Sequence, residues 1–231
     1  MKAVILAAGK GERIKGVVPE IPKPMIEFRG KPVLQHNIEL CKRHGILDLF
    51  INTHYKPEVI REYFGAGERF GVRIAYSFEP ELLGTAGAVA NFGPQLGDSP
   101  FFVIYGDNCS AFDLTRLVAM SREHHDAPAI AFHWREETSA SGVAEFDDDA
   151  RILRFVEKPQ PGESESRWVN AGIYYLPASI LREIPRGNSD FALDILPALL
   201  KKNVPIYGVC EKVDVFAFDT PEMFYASQKL R

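Results

Sequence analysis

Cysteine is scarce in this chain of 231 residues, with three copies, and tryptophan scarcer, with two. Cys41, Cys109 and Cys210 lack metal-ligand spacing, and their odd number argues against a disulfide framework. Each reads as a small buried apolar residue rather than a catalyst. No stretch approaches ~18 consecutive apolar residues, and the N-terminal run is too short and too soon broken for a signal peptide. Charge of one sign is also in short supply. A net charge of −4 gives no reason to expect nucleic acid or an anionic membrane as a partner. A cytoplasmic location is expected. His36, His124, His125 and His133 form no metal spacing with nearby acids, and there are no internal repeats. What remains is ordinary for a globular protein, 46% hydrophobic and 25% charged, and long enough to bury a large core.

The informative feature is at the start. Ala3-Val4-Ile5-Leu6-Ala7-Ala8 reads as a buried parallel strand, and it runs directly into Gly9-Lys10-Gly11-Glu12-Arg13. Two glycines spaced by one residue let backbone N–H groups close on an anion. Lys23-Pro24 follows ten residues after Arg13, so two cations sit where they can grip neighbouring phosphates. Residue 14 is Ile, so the third glycine of a dinucleotide fingerprint is missing, and no Gly-Lys-Ser/Thr is present to make a P-loop. An ordinary tight turn after a strand is the plain alternative.

Strand-like and helix-like stretches alternate through the first half. Helices are expected over Pro32 to Gly45, Pro57 to Phe64, Thr85 to about Phe92 and Asp113 to His124. Strands are expected over Leu47 to Thr53, Val72 to Ser77, Phe101 to Tyr105 and Pro128 to Trp134. The alternation implies an α/β fold, a Rossmann-like three-layer sandwich with a mixed, mainly parallel sheet. After Trp134 the pattern changes to a hairpin, Gly142 to Phe146 and Ile152 to Val156, around Asp147-Asp148-Asp149. A polar loop from Gly162 to Ser166 and a strand from Trp168 to Leu176 follow. A helix over Phe191 to Lys201, strands near Ile206 and Val213, and a helix from Pro221 complete the chain. With no long linker, residues 1–231 read as one domain, a first half to about 134 and a second half with a small β insertion after it.

At its loop the chain resembles the sugar-phosphate nucleotidyltransferases, which make nucleotide-sugars. Gly9, Gly11, Arg13, Lys23 and Pro24 match that family's first motif. Gly84-Thr85-Ala86-Gly87-Ala88, Tyr105-Gly106-Asp107-Asn108, Glu157-Lys158-Pro159, Val169-Asn170-Ala171-Gly172-Ile173-Tyr174 and Asp219-Thr220-Pro221-Glu222 resemble its later motifs, in the same order. The resemblance implies attack by a sugar 1-phosphate oxygen on the α-phosphorus of a nucleoside triphosphate, with Mg²⁺ present and pyrophosphate leaving. It assigns Arg13 to the departing phosphates, Lys23 to the α-phosphate and Lys158 to the sugar phosphate. Pro159 is expected to hold Lys158 in an extended chain that aims its side chain inward.

Asp107 ends an apolar strand, where a carboxylate can hold Mg²⁺ against phosphate oxygens, and Asp113 is better placed to cap the following helix. Many family members carry a second aspartate where this chain has Ala217; Asp219 is preferred here as the second ligand to Asp214. A cap for the helix at Pro221 is the competing role for Asp219. Leu6, Ala7, Ala8 and Gly9, with the Gly84-Thr85 turn, would present main chain to the base. Glu79 and Glu81 lie near, and a carboxylate can accept from the N1–H and amino group of guanine. Gly142, Glu157, Asn170 and Gly172 match positions that contact sugar hydroxyls, and Trp168 is either a stacking surface or a buried insertion residue.

The closer resemblance is to mannose-1-phosphate and manno-heptose-1-phosphate guanylyltransferases, which favours GTP. A cytidylyltransferase acting on a phosphorylated sugar or alcohol, and a non-catalytic nucleotide-sugar-binding regulatory relative, are the alternatives. A homo-oligomer is compatible with either. The chain stops too early for the acyltransferase tail of some members, so a stand-alone transferase is expected.

Overall fold

A computed structural model describes all residues except 10, 12, 13, 15, 17–19, 219 and 229–231, and of 226–228 only the backbone. Along the chain the strands are β1 (Lys2–Leu6), β2 (Glu27–Phe28), β3 (Lys31–Pro32), β4 (Asp48–Thr53), β5 (Arg73–Phe78), β6 (Phe101–Tyr105) and β7 (Asn108–Ser110). They continue as β8 (Ala129–Trp134), β9 (Val143–Phe146), β10 (Ile152–Val156), β11 (Trp168–Leu176), β12 (Tyr207–Glu211) and β13 (Val215–Ala217). The helices are α1 (Val33–Arg43), α2 (Pro57–Phe64), α3 (Gly84–Asn91), α4 (Gly93–Leu96), α5 (Leu114–Glu123), α6 (Leu196–Lys201) and α7 (Pro221–Gln228). The class is the α/β one read from the sequence, with a mixed sheet. The chain divides into two compact units.

The first unit comprises Met1–Leu82, Val103–Ala111 and Val215–Arg231. Here β1 lies between β6 and β4, and β5 follows β4. Both β1–β4 and β4–β5 are parallel, with Leu6 level with Asn52 and Asn52 level with Ser77. That register brings the carboxyl ends of the strands to one edge, where ligands gather in open α/β sheets. Ala3, Val4 and Ile5 are fully buried, as a strand covered on both faces requires. Helix α1 buries Val33, Leu34, Asn37, Ile38, Leu40 and Cys41, one stripe of a helical wheel, and stops where Gly45 turns left-handed (φ +70°).

Ile14, Ile26, Phe28, Val33, Cys109 and Phe218 form a buried apolar cluster, with Phe216 and Phe224 packed against it. Its members adjoin the predicted site residues in sequence, Ile14 beside Arg13 and Phe218 beside Asp219. The tiny antiparallel ladder β13–β7 pairs Phe216 with Cys109 and Ala217 with Asn108. Neither β7 nor the β2–β3 hairpin is foreseen from the sequence, and the strand expected near Val213 begins at Val215, where this ladder starts.

The second unit comprises Leu83–Phe102 and Phe112–Asp214. Its strands β9 and β10 form the expected antiparallel hairpin around the acidic turn. Strand β8 pairs antiparallel with β11 and parallel with β12. Asp113 caps α5 by accepting from the Thr115 N–H at 3.0 Å, as expected. The helix expected from Phe191 opens with a wider π turn, Phe191–Ile195, before α6. Among the described residues no helix is long and apolar enough to cross a membrane.

Candidate active site

In the first unit the loop after β1 is held from below. The Ile14 N–H donates to the Gly11 carbonyl at 3.2 Å, and Gly11 is left-handed (φ +61°), with Lys23 Cβ closing over it. Gly9 is exposed, and a Cβ there would meet nothing within 4 Å, so its main chain faces open space. Arg13 lies outside the described residues. Lys23 begins a short 3-10 turn, Lys23–Met25, and is only 5% exposed.

Lys23 Nζ donates to Asp107 Oδ2 at 2.5 Å. Two features place that carboxylate. Gly106 passes so close to β1 that a Cβ on it would stand 2.7 Å from the Leu6 carbonyl oxygen, and its N–H donates to that oxygen at 2.8 Å. On the other side Asn37, buried in α1, donates to the Asn108 carbonyl at 2.9 Å. Tyr105-Gly106-Asp107-Asn108 is thus a tight exit from β6 clamped at both ends. Asp219 lies outside the described residues, but its neighbour Thr220 is placed. Thr220 Oγ1 accepts from the Met223 N–H at 3.3 Å, so the cap of α7 is supplied by the threonine.

The main chain expected to meet the base is partly committed. Besides Leu6, Ala7 is engaged, its N–H donating to Asn52 Oδ1 at 2.7 Å. Asn52 Nδ2 donates in turn to Glu79 Oε1 at 2.9 Å. Asn52 and Glu79 are both buried, while Glu81 is exposed.

In the second unit Gly84 and Gly87 answer to backbone packing. A Cβ on either would stand 2.3 Å from a carbonyl oxygen, of Ser189 and Gly187 respectively, and Gly84 is left-handed (φ +71°). The Ser189 carbonyl accepts from the Ala86 and Gly87 N–H groups at 3.0 and 3.2 Å, capping α3 with main chain. Thr85 Oγ1 donates to Asp190 Oδ2 and accepts from the Phe191 N–H, both at 2.8 Å. The Gly84-Thr85 turn expected to present main chain to the base is the first turn of α3, and the 187–190 loop lies on it.

Gly142 is required by its neighbours: a Cβ would stand 2.7 Å from Glu157 Oε2 and closer still to Phe155. Burial raises the Glu157 carboxyl above its ordinary pKa of 4.5, Lys158 lowers it and Asp190 raises it again. Lys158 departs from expectation. Its φ is +51° and its side chain is exposed, not extended and inward. The chain must reverse after β10, and the Lys158 N–H donates to the Ser141 carbonyl at 3.2 Å in doing so. Asn170 is engaged as well: its Oδ1 accepts from the Gly172 N–H at 2.9 Å and its Nδ2 donates to the Tyr174 hydroxyl at 2.6 Å. These bonds span the register shift in β11, where Gly172 is left-handed (φ +71°). Trp168 is half-buried beside Glu145, Glu163 and Glu165, around a cavity of about 590 Å³.

Asp107 offers a carboxylate, the oxygen chemistry a divalent cation takes, with Lys23 on its Oδ2. The described residues contain no cluster of three or more His, Cys, Asp or Glu side chains that could hold a metal. A Mg²⁺ ion bound mainly through phosphate oxygens and water needs only one or two carboxylates.

The first unit thus brings a buried lysine and an aspartate together at a strand exit of an α/β sheet. The chain belongs to the nucleotidyl transferase family, whose model matches residues 2–215. It is 38% identical over 224 residues to a UTP–glucose-1-phosphate uridylyltransferase of Synechocystis sp., covering 90% of this chain and 58% of that protein. It is 35% identical over 208 residues to a mannose-1-phosphate guanyltransferase of Gibberella zeae, covering 88% and 57%. Its structure superposes on that of HddC from Yersinia pseudotuberculosis complexed with GMP-PN, with a TM-score of 0.83 at 28% identity and 100% and 99% of the two chains covered. The chain spans a little over half the length of the curated relatives it matches.

Proposed function

We propose that this chain transfers a nucleotidyl group from a nucleoside triphosphate to a sugar 1-phosphate. An oxygen of the sugar phosphate forms a bond to the α-phosphorus, the bond to the bridging oxygen breaks, and pyrophosphate leaves. No protein nucleophile is needed; the chain has to align the two phosphates and relieve their repulsion. The observation that carries this function is the Lys23–Asp107 pair, a cation and a carboxylate brought together at the strand ends beneath a glycine loop. Lys23 would turn from Asp107 to the α-phosphate, and Arg13 would hold the departing phosphates. Gly9 and Gly11 would let the triphosphate approach main chain.

Asp107 and Asp219 would hold Mg²⁺, which when bound supplies charge neutralisation at the phosphate oxygens. Two observations favour Asp219 over Asp214: Thr220 already caps α7, and β13 leads away from Asp214 toward the Asn108 end of β7. Lys158 would secure the sugar phosphate, with Gly142, Glu157, Asn170 and Gly172 around the hydroxyls. Of Asn170, one side-chain N–H and one oxygen lone pair remain beyond its two internal bonds for that task. Leu6, Ala7, Ala8, Gly84 and Thr85 would frame the nucleotide, with the Leu6 carbonyl, the Ala7 N–H and the Thr85 hydroxyl already bonded within the protein.

GTP with mannose 1-phosphate or a manno-heptose 1-phosphate is the pair we favour, because relatives carry guanyltransferase names and a carboxylate such as that of Glu79 matches the N1–H and amino group of guanine. UTP with glucose 1-phosphate is the second reading, favoured by the Synechocystis relative. Pyrophosphate release with GTP, UTP, CTP and dTTP against a panel of sugar 1-phosphates tests both. GTP turnover with a manno-configured phosphate is expected, and turnover confined to UTP with glucose 1-phosphate would replace the first reading by the second.

A further inference from the structure

Asn52 lies near the carboxyl end of β4, between Leu6 of β1 and Ser77 of β5, and is 3% exposed. Phe50, two residues earlier on the same face of the strand, is a buried apolar residue. Buried amides and carboxylates are costly unless bonded, so a polar pair here calls for a reason. Asn52 ties two things together. Its Oδ1 accepts the Ala7 N–H, and its Nδ2 donates to Glu79 Oε1. The amide has one tolerable orientation, since turning it over would set its NH₂ against an N–H and its oxygen against a carboxylate.

Glu79 is fixed from its main chain too. Its N–H donates to the Thr53 carbonyl at 2.8 Å, and its own carbonyl lies 2.7 Å from His54 Nδ1. A carboxylate that is 1% exposed and held at side chain and backbone has little freedom to reorient. The chain Ala7–Asn52–Glu79 therefore joins the exit of β1 to the exit of β5 through the exit of β4.

We infer that Asn52 is a positioning residue for base selection. It locks the Ala7 main chain and the Glu79 carboxylate into one frame, and that frame sets which base edge is accepted. The inference rests on the proposed function, in which the base meets the Leu6–Gly9 turn and Glu79. Asn52 itself does not touch substrate.

The test is steady-state kinetics of the whole chain with GTP, UTP, CTP and dTTP, for the unaltered protein, Asn52→Asp and Asn52→Leu. Asn52→Asp keeps the shape and the acceptor for Ala7 but turns a second carboxylate toward Glu79. Asn52→Leu removes both bonds. Each variant should lower the ratio of kcat/KM between the preferred triphosphate and the next by about tenfold, through the KM for triphosphate. The KM for sugar 1-phosphate should stay within about twofold. Melting temperatures measured alongside separate loss of fold from loss of selection. If Asn52→Asp, folded or partly destabilised, keeps the original base ratio, the inference is overturned. Absence of pyrophosphate release by the unaltered chain with every triphosphate would overturn the function itself.

Discussion

Lys23 and Lys158 carry the same charge in opposite settings. Lys23 is 5% exposed and ion-paired, so any phosphate that recruits it must compete with Asp107. Lys158 is exposed on a turn. Lys23→Ala should therefore depress kcat, by roughly 10²-fold, since it removes a charge that acts as the α-phosphorus reacts. Lys158→Ala should raise the KM for sugar 1-phosphate more than the KM for triphosphate. Equal rises in both KM values would refute that division. Asp107→Asn keeps the shape and loses the charge, and turnover should fall by roughly 10²-fold or more. Near-normal turnover in that variant would remove Asp107 from the metal site. Both Lys23 and Asp107 are legible in the sequence because each sits in a short motif. Their pairing across 84 positions is not, nor are Asn37 and Asn52, because a lone asparagine inside an apolar stretch leaves no periodic signal.

At the scale of elements, the long strands and helices fall close to where hydrophobic spacing puts them, and Trp168–Leu176 agrees at both ends. The misses are short. Asn108–Ser110 has no alternating pattern of its own and becomes a strand because Val215–Ala217 pairs with it from the other end of the chain. Such an element is created by tertiary contact and has no local cause to read. The same ladder runs directly into the C-terminal motif, which yields a comparison of neighbours. Thr220→Ala should lower stability by about 1 kcal/mol, the usual cost of a lost helix cap, with little change in metal requirement. Asp219→Ala should raise the Mg²⁺ concentration needed for half-maximal turnover and leave the melting temperature nearly unchanged. The reverse pattern would make Asp219 the cap and Thr220 a bystander.

For the molecule as a whole, one source of acid sensitivity lies in the second unit. His133 is 4% exposed, and burial, assisted by Arg135, pushes its pKa from 6.5 down to about 4. Between those values the unfolded chain takes up a proton that the folded chain refuses, so stability falls as pH drops from 6.5 through 4. His133→Phe should flatten that part of the curve, which melting temperatures at pH 7 and pH 5 would reveal; an unchanged slope would show the acid sensitivity to lie elsewhere. The α/β class and the order of the motifs are legible in the sequence alone, whereas the crowding at Gly84, Gly106 and Gly142 is not, since a glycine's spatial neighbours leave no mark on the residues beside it in the chain. Lys158 carries the last consequence. A lysine in the left-handed region ahead of a proline costs roughly 1–2 kcal/mol that glycine would not incur, offset in part by glycine's freer unfolded chain. Lys158→Gly should then melt at or above the temperature of the unaltered protein, by up to about 1 kcal/mol of added stability, while its affinity for sugar 1-phosphate collapses. A position where the better-folding residue is the worse enzyme marks a place where the chain keeps strain in exchange for a charge held ready.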